Sequence, residues 1–147
     1  MPLRTTNQKA GSWNLSGRTS SADLIVSWIW RALWLLWSLL IILSTTLPCN
    51  EQGPGYFSRV PFSPFMPMDI IANVLLYLPL GLFYARSRAV QQNLITVRAL
   101  LIAAVLSIPA ELLQLRCANR FASVTDVIAN TAGAALGATA ARRIFRL

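Results

Sequence analysis

Four long apolar runs, separated by polar or proline-rich stretches, dominate the pattern of the chain. They extend from Leu24 to Leu47, from Asp69 to about Ala85, from about Leu94 to Leu115 and from about Val124 to Phe145. Each is close to the roughly 20 residues a helix needs to cross the hydrocarbon core of a bilayer. In that core a spanning segment must satisfy its backbone polar groups internally, which favours helices. The pattern predicts an all-α fold, a polytopic membrane helix bundle of about four transmembrane helices. Residues 1–22, rich in Ser, Thr, Asn and Gly, read as a flexible cytosolic tail, and residues 23–147 as one transmembrane domain. The first run is too long for a signal-peptide core and lacks a small-residue cleavage site, so it reads as an uncleaved span. Between the first two runs, Pro54, Pro61, Pro64 and Pro67 preclude a continuous helix, and the apolar part from Val60 to Met68 is expected to lie in the membrane interface. Pro79 and Gly81 are expected to loosen the far half of the second span, and Pro109 to interrupt the third.

Charge adds orientation. Of 147 residues 55% are hydrophobic and only 12% charged, with 13 Lys and Arg against 5 Asp and Glu. Soluble domains carry about twice that charged fraction. The arginines sit between apolar runs, where they serve cytosolic loops and lipid headgroups, so the net charge of +8 does not point to nucleic acid. The N-terminal tail, the 86–98 connection and the C-terminus are basic, whereas the 48–68 connection holds only Arg59 and Glu51. The positive-inside bias then places both termini in the cytosol. Arg116 and Arg120 fall on the side that should be poor in arginine, which suggests a task other than orientation. Trp28, Trp30, Trp34 and Trp37 fit an interfacial belt combined with a packing or lipid-facing stripe. The chain has no histidine, which removes imidazole acid–base catalysis and most zinc chemistry. Cys49 and Cys117 are both expected outside, where a disulfide between them could persist.

Two segments echo each other: Asp69-Ile-Ile-Ala-Asn73 and Asp126-Val-Ile-Ala-Asn130, with Gly81 and Gly137 following at similar distances. Duplication of a two-span hairpin would run the second and fourth helices in the same direction; chance similarity is the alternative. In either case Asp and Asn four apart share a helix face. On the third span Ser107, Glu111 and Gln114 form a stripe at the outer end, and Gly133-x-x-x-Gly137 on the fourth permits close helix approach. Asp69, Asn73, Glu111, Gln114, Arg116, Arg120, Asp126 and Asn130 therefore all fall near the outer surface, as a candidate ligand-binding cluster. Structural roles compete with this reading. Either aspartate can serve its own helix start, Ser123 with Asp126 resembles a capping box, and the amides can join neighbouring helices. Glu111, more than one turn inside the third span, needs a partner, for which Arg116 or Arg120 is the obvious candidate.

The spacing Glu111-x-x-Gln114, then Arg120, Asp126, Asn130, Gly133 and Gly137, resembles the signature of VanZ-like membrane proteins. The second span, with Asp69, Asn73 and Pro79-Leu80-Gly81, looks like that family's earlier segment. The resemblance covers about Asp69 to Gly137; Arg116-Cys117 departs from the aromatic or aliphatic residues usual there. It implies a multi-pass protein of the bacterial cytoplasmic (inner) membrane concerned with the cell envelope. A member of the family is linked to resistance to the glycopeptide teicoplanin, without an established biochemical activity.

Three functions fit these residues. The first is a module that binds an anionic lipid-linked or envelope ligand at the outer leaflet, Arg120 with or without Arg116 holding phosphate or carboxylate. The second is an enzyme acting on a lipid phosphate or lipid-linked sugar, with carboxylates supplying acid–base chemistry or Mg²⁺ ligands. The third is a small transporter. No cofactor is expected beyond a divalent cation in the enzyme case. The expected partners are membrane lipid and a lipid-linked envelope precursor, with no nucleic acid; a homo-oligomer would be needed to build a transport path.

Overall fold

The computed structural model describes residues 21–47, 67–88, 94–115, 117 and 122–145. The proposed tail up to Ser20, the 48–66 connection, Arg116 and Arg120 lie outside the described residues. Four helices form: α1 (Ser21–Thr46), α2 (Pro67–Ser87), α3 (Ile95–Gln114) and α4 (Val124–Ile144). Helix α1 takes in Ser21 and Ala22, and α2 starts at Pro67, where a missing N–H costs nothing because the first turn has no acceptor for it. Helices α1, α2 and α3 are long and apolar enough to cross a membrane. At 21 residues α4 is about 30 Å long, but Ala, Gly and Thr lower its hydropathy. It compensates by enclosure, burying Ala129, Asn130, Gly133, Ala134, Gly137, Ala138 and Ala141.

The chain is apolar on the outside and small-residued within. Leu36 (63% exposed), Val105 (71%) and Leu136 (56%) face outward, while Ala85, Ala99, Ala103, Ala134 and Ala138 are buried. Lipid tails are as apolar as leucine, so bulky side chains gain little by turning inward, and close backbone packing holds the helices instead. Helix α4 packs most extensively on α2 and next on α3, while α1 lies mainly along α2. A Cβ on Gly137 would overlap the Leu78 carbonyl oxygen, and one on Gly133 the Val74 carbonyl, so both glycines set how near α4 comes to α2. These pairings advance together along both helices, and Ala85 joins Ala138 and Ala141 farther on. Helices α2 and α4 thus run in the same direction, as the paired Asp/Asn segments suggested. Helix α1 runs opposite to α2, with Trp37 Nε1 donating to the Leu76 carbonyl at 2.9 Å and Trp30 and Trp37 each 6.0 Å from Phe83.

Neither proline interrupts its helix: Pro79 lies inside α2 and Pro109 inside α3. Pro79 leaves the Leu75 carbonyl without its usual donor, and the Trp37 indole braces the adjacent Leu76 carbonyl in that weakened turn. The tryptophans are accordingly a packing stripe more than a belt. Trp34 meets Tyr84 at 5.8 Å, and among the described tryptophans only Trp28 stays largely exposed, with the Arg31 guanidinium 5.2 Å from its ring.

Basic charge is segregated. All described basic residues, Arg31, Arg86, Arg88, Arg98, Arg142 and Arg143, occupy the half built from the starts of α1 and α3 and the ends of α2 and α4. There the Arg86 guanidinium stacks on Trp30 at 5.2 Å and on Phe145 at 4.4 Å, tying three helices together. Asp69, Glu111 and Asp126 occupy the opposite half.

Candidate functional site

The carboxylate half opens into a cleft of about 310 Å³ between the last turns of α1 and α3 and the first turns of α2 and α4. All four helices contribute to it: Ser44 and Thr45 from α1, Asn73 and Tyr77 from α2, Glu111 and Gln114 from α3, Asp126 and Asn130 from α4. The parallel course of α2 and α4 produces this convergence, because it puts two Asp/Asn pairs at one end instead of opposite ends.

Each carboxylate has a distinct setting. Ser123 is the N-cap of α4, its side chain accepting from the Thr125 N–H at 3.2 Å. In a capping box the residue three further on, Asp126, would take the backbone N–H of Ser123. Glu111 takes it instead, its Oε2 accepting from Ser123 N at 2.9 Å across the α3–α4 corner. This bond is an identified partner for the half-buried Glu111; Arg116 and Arg120, the partners expected from the sequence, lie outside the described residues. Relieved of the cap, Asp126 faces α2 beside the Asn73 side chain, with the Asp69 carboxylate near enough for the two charges to repel. Asp69 is exposed and sits beside the cleft without lining it.

The amides form the floor. Asn130, 4% exposed, donates from Nδ2 to Ser107 Oγ at 2.8 Å, while its Oδ1 has no partner. Tyr77, wholly buried, places its hydroxyl beside Ser107, but the geometry completes no hydrogen bond. Buried polar atoms without partners are costly, and two of them belong to residues that line this one cleft. Gln114 Nε2 makes a long 3.5 Å contact with the Thr45 carbonyl. Cys117 follows directly, its N–H donating to the Gln114 carbonyl at 2.9 Å. Cys117 is held in a disulfide; the chain's other cysteine, Cys49, is outside the described residues.

On the outer side of Glu111 lies a second cavity of about 370 Å³, lined by Ile108, Leu112, Leu115, Ala122, Val124 and Val127 together with Glu111 and Ser123. Glu111 thus borders a polar cleft on one side and an apolar groove on the other. Among the described residues no three carboxylate, thiolate or imidazole groups gather into a metal-binding set.

Of the eight residues singled out from the sequence, Asn73, Glu111, Gln114, Asp126 and Asn130 line the cleft and Asp69 flanks it. The sequence reading missed Tyr77 and the α1 contribution. Tyr77 lies one turn after Asn73 on the same face, and Ser44-Thr45-Thr46 is a polar ending on an otherwise apolar run, so both left a signal.

Among curated proteins and solved structures nothing matches the chain. The sequence profile of the family described as VanZ/LLP1 matches residues 4–146, well beyond the stretch that carries the Asp, Glu and Asn motif. With its apolar helices and a match over nearly its whole length, this membrane protein belongs to the VanZ/LLP1 family.

Proposed function

We propose that the protein binds the polar head of an anionic, lipid-linked or envelope amphiphile in the cleft, at the outer face of the bacterial cytoplasmic membrane. The observation that carries this reading is the cleft itself, where polar side chains from four helices, the carboxylates of Glu111 and Asp126 among them, converge at one end of an otherwise apolar bundle. An intramembrane ionisable cluster is expensive to keep unless it serves a ligand or a mutual pairing. The apolar groove beyond Glu111 adjoins the cleft, so an amphiphile could place its head in one and its chain in the other. The volume, about 310 Å³, suits a headgroup and not a large soluble substrate. The ligand's anionic group falls to Arg120, with Arg116, by sequence position.

Two features support the outward orientation of the cleft. The described arginines gather in the opposite half, as in cytosolic ends, and the disulfide of Cys117 belongs to an oxidising compartment. A link to glycopeptide tolerance follows if the ligand is an envelope precursor, and teicoplanin susceptibility of cells with and without the gene tests that extension.

The direct test is mass-spectrometric analysis of lipids and metals retained by the purified protein, compared with Arg120→Ala. A lipid phosphate enriched in the parent and lost in the variant supports the reading. Bulk lipid composition in both, with no enrichment, contradicts it.

A further inference from the structure

The end of the bundle remote from the cleft concentrates charge of the opposite sign. Helices α2 and α4 finish side by side there: Ala85 packs with Ala138 and Ala141, and the Arg86 guanidinium lies 4.4 Å from the Phe145 ring. These adjacent ends hold Arg86, Arg88, Arg142 and Arg143 and no carboxylate. Among the described residues the one acidic group in that half is Asp23, in the first turn of α1. A helix C-terminus carries about −0.5 of an elementary charge, so two of them offset only a fraction of four guanidinium groups. Orientation in a membrane requires a basic end, but not that its charges gather on two neighbouring helices.

We propose that the paired ends of α2 and α4 bind a phospholipid with two phosphates in one head, of the diphosphatidylglycerol type, the phosphates shared between the arginines of both helices. The site is separate from the cleft and does not depend on the headgroup reading above. Guanidinium groups present planar forks of donors that match phosphate oxygens. Arg86 is held in place by Trp30 and Phe145, whereas Arg88 and Arg143 are exposed. Beside them Ile144 (66% exposed) and Phe145 (39%) offer apolar surface, along which acyl chains would run. Once one phosphate is seated, the second binds as an intramolecular event, so two phosphates on a short linker are favoured over one.

The test titrates the full-length purified protein, in a non-ionic detergent, with diphosphatidylglycerol and phosphatidylglycerol of matched acyl chains. Binding is read by native mass spectrometry. The two-phosphate lipid is expected to bind about 10-fold or more tightly than the one-phosphate lipid. Arg88→Gln combined with Arg143→Gln, both at exposed positions, is expected to weaken it by about 10-fold or more and to abolish the preference. Arg31→Gln removes a charge at the level of Arg86, since the preceding Trp30 stacks on that residue. It is expected to leave the preference intact. The deacylated two-phosphate head is expected to compete weakly. Equal affinity for the two lipids, or the same loss in Arg31→Gln, overturns the proposal in favour of general charge attraction. Full competition by the deacylated head overturns the lipid assignment. A preference that survives the double variant places binding elsewhere; it overturns this site and leaves the cleft reading untouched.

Discussion

Replacing Gly137 by alanine adds one methyl group at the tightest point of the bundle. That carbon would overlap the Leu78 carbonyl oxygen and stand 2.9 Å from its carbon and 3.0 Å from Leu82 N. All three atoms are backbone, so no rotamer change can make room, and α4 must move off α2 by an amount on the order of an ångström to restore ordinary C···O contact. Overpacking of a close interface costs about 1–3 kcal/mol. For a chain of this size that corresponds to a fall in unfolding midpoint of roughly 3–10 °C. Gly81 and Gly133 contact the same pair of helices, so adding Gly81→Ala should cost less than the sum of the single changes. Unfolding followed by intrinsic fluorescence in a fixed detergent supplies the measurement, with Ala132→Leu, a larger addition on the exposed face of α4, as the control. If Gly137→Ala unfolds within a degree of the parent, or if Ala132→Leu is equally damaging, the close α2–α4 packing is refuted.

Three other outcomes follow from the same geometry. Glu111→Ala leaves the Ser123 N–H without its acceptor and should cost about 1.5–3 kcal/mol, with Glu111→Gln recovering part of it; faster amide exchange at Ser123 in the alanine variant alone is the readout, and unchanged exchange would count against the corner bond. Trp37→Phe keeps a ring against Phe83 but removes the bond to Leu76; a loss of about 1 kcal/mol and earlier proteolysis of α1 are expected, whereas undiminished protection of α1 would exclude that brace. Thiol labelling of the native protein should fail until it is reduced, as the disulfide of Cys117 requires, and reduction should cost about 2–4 kcal/mol; ready labelling before reduction is the contrary result.

The architecture was largely legible in the sequence because its causes are local. Apolar length and arginine placement mark the helices, and the paired Asp69/Asn73 and Asp126/Asn130 segments encode the common direction of α2 and α4. Pro79 and Pro109 stay inside their helices because each removes one donor and the spans that contain them keep their other backbone bonds. Here α2 is supported by α1 through Trp37, a contact between residues 39 positions apart. The division of labour between Glu111 and Asp126 was hidden for a similar reason. The Ser123–Asp126 spacing is that of a capping box, and only the approach of α3 reveals that Glu111 takes the cap N–H and leaves Asp126 to Asn73. Tyr77 and the α1 hydroxyls were within reach, since same-face spacing after Asn73 and a polar end to an apolar run can both be read from one chain.

The central claim is that the Asp126 end of the bundle is its outward, ligand-facing end and the arginine end its cytosolic one. Single cysteines at Asp126 and at Arg88, placed in the disulfide-intact protein, test it in spheroplasts with a membrane-impermeant maleimide. The account predicts that Asp126→Cys is labelled from outside and Arg88→Cys only after the membrane is permeabilised. Labelling of Arg88→Cys from outside, or of both cysteines from the same side, would contradict it.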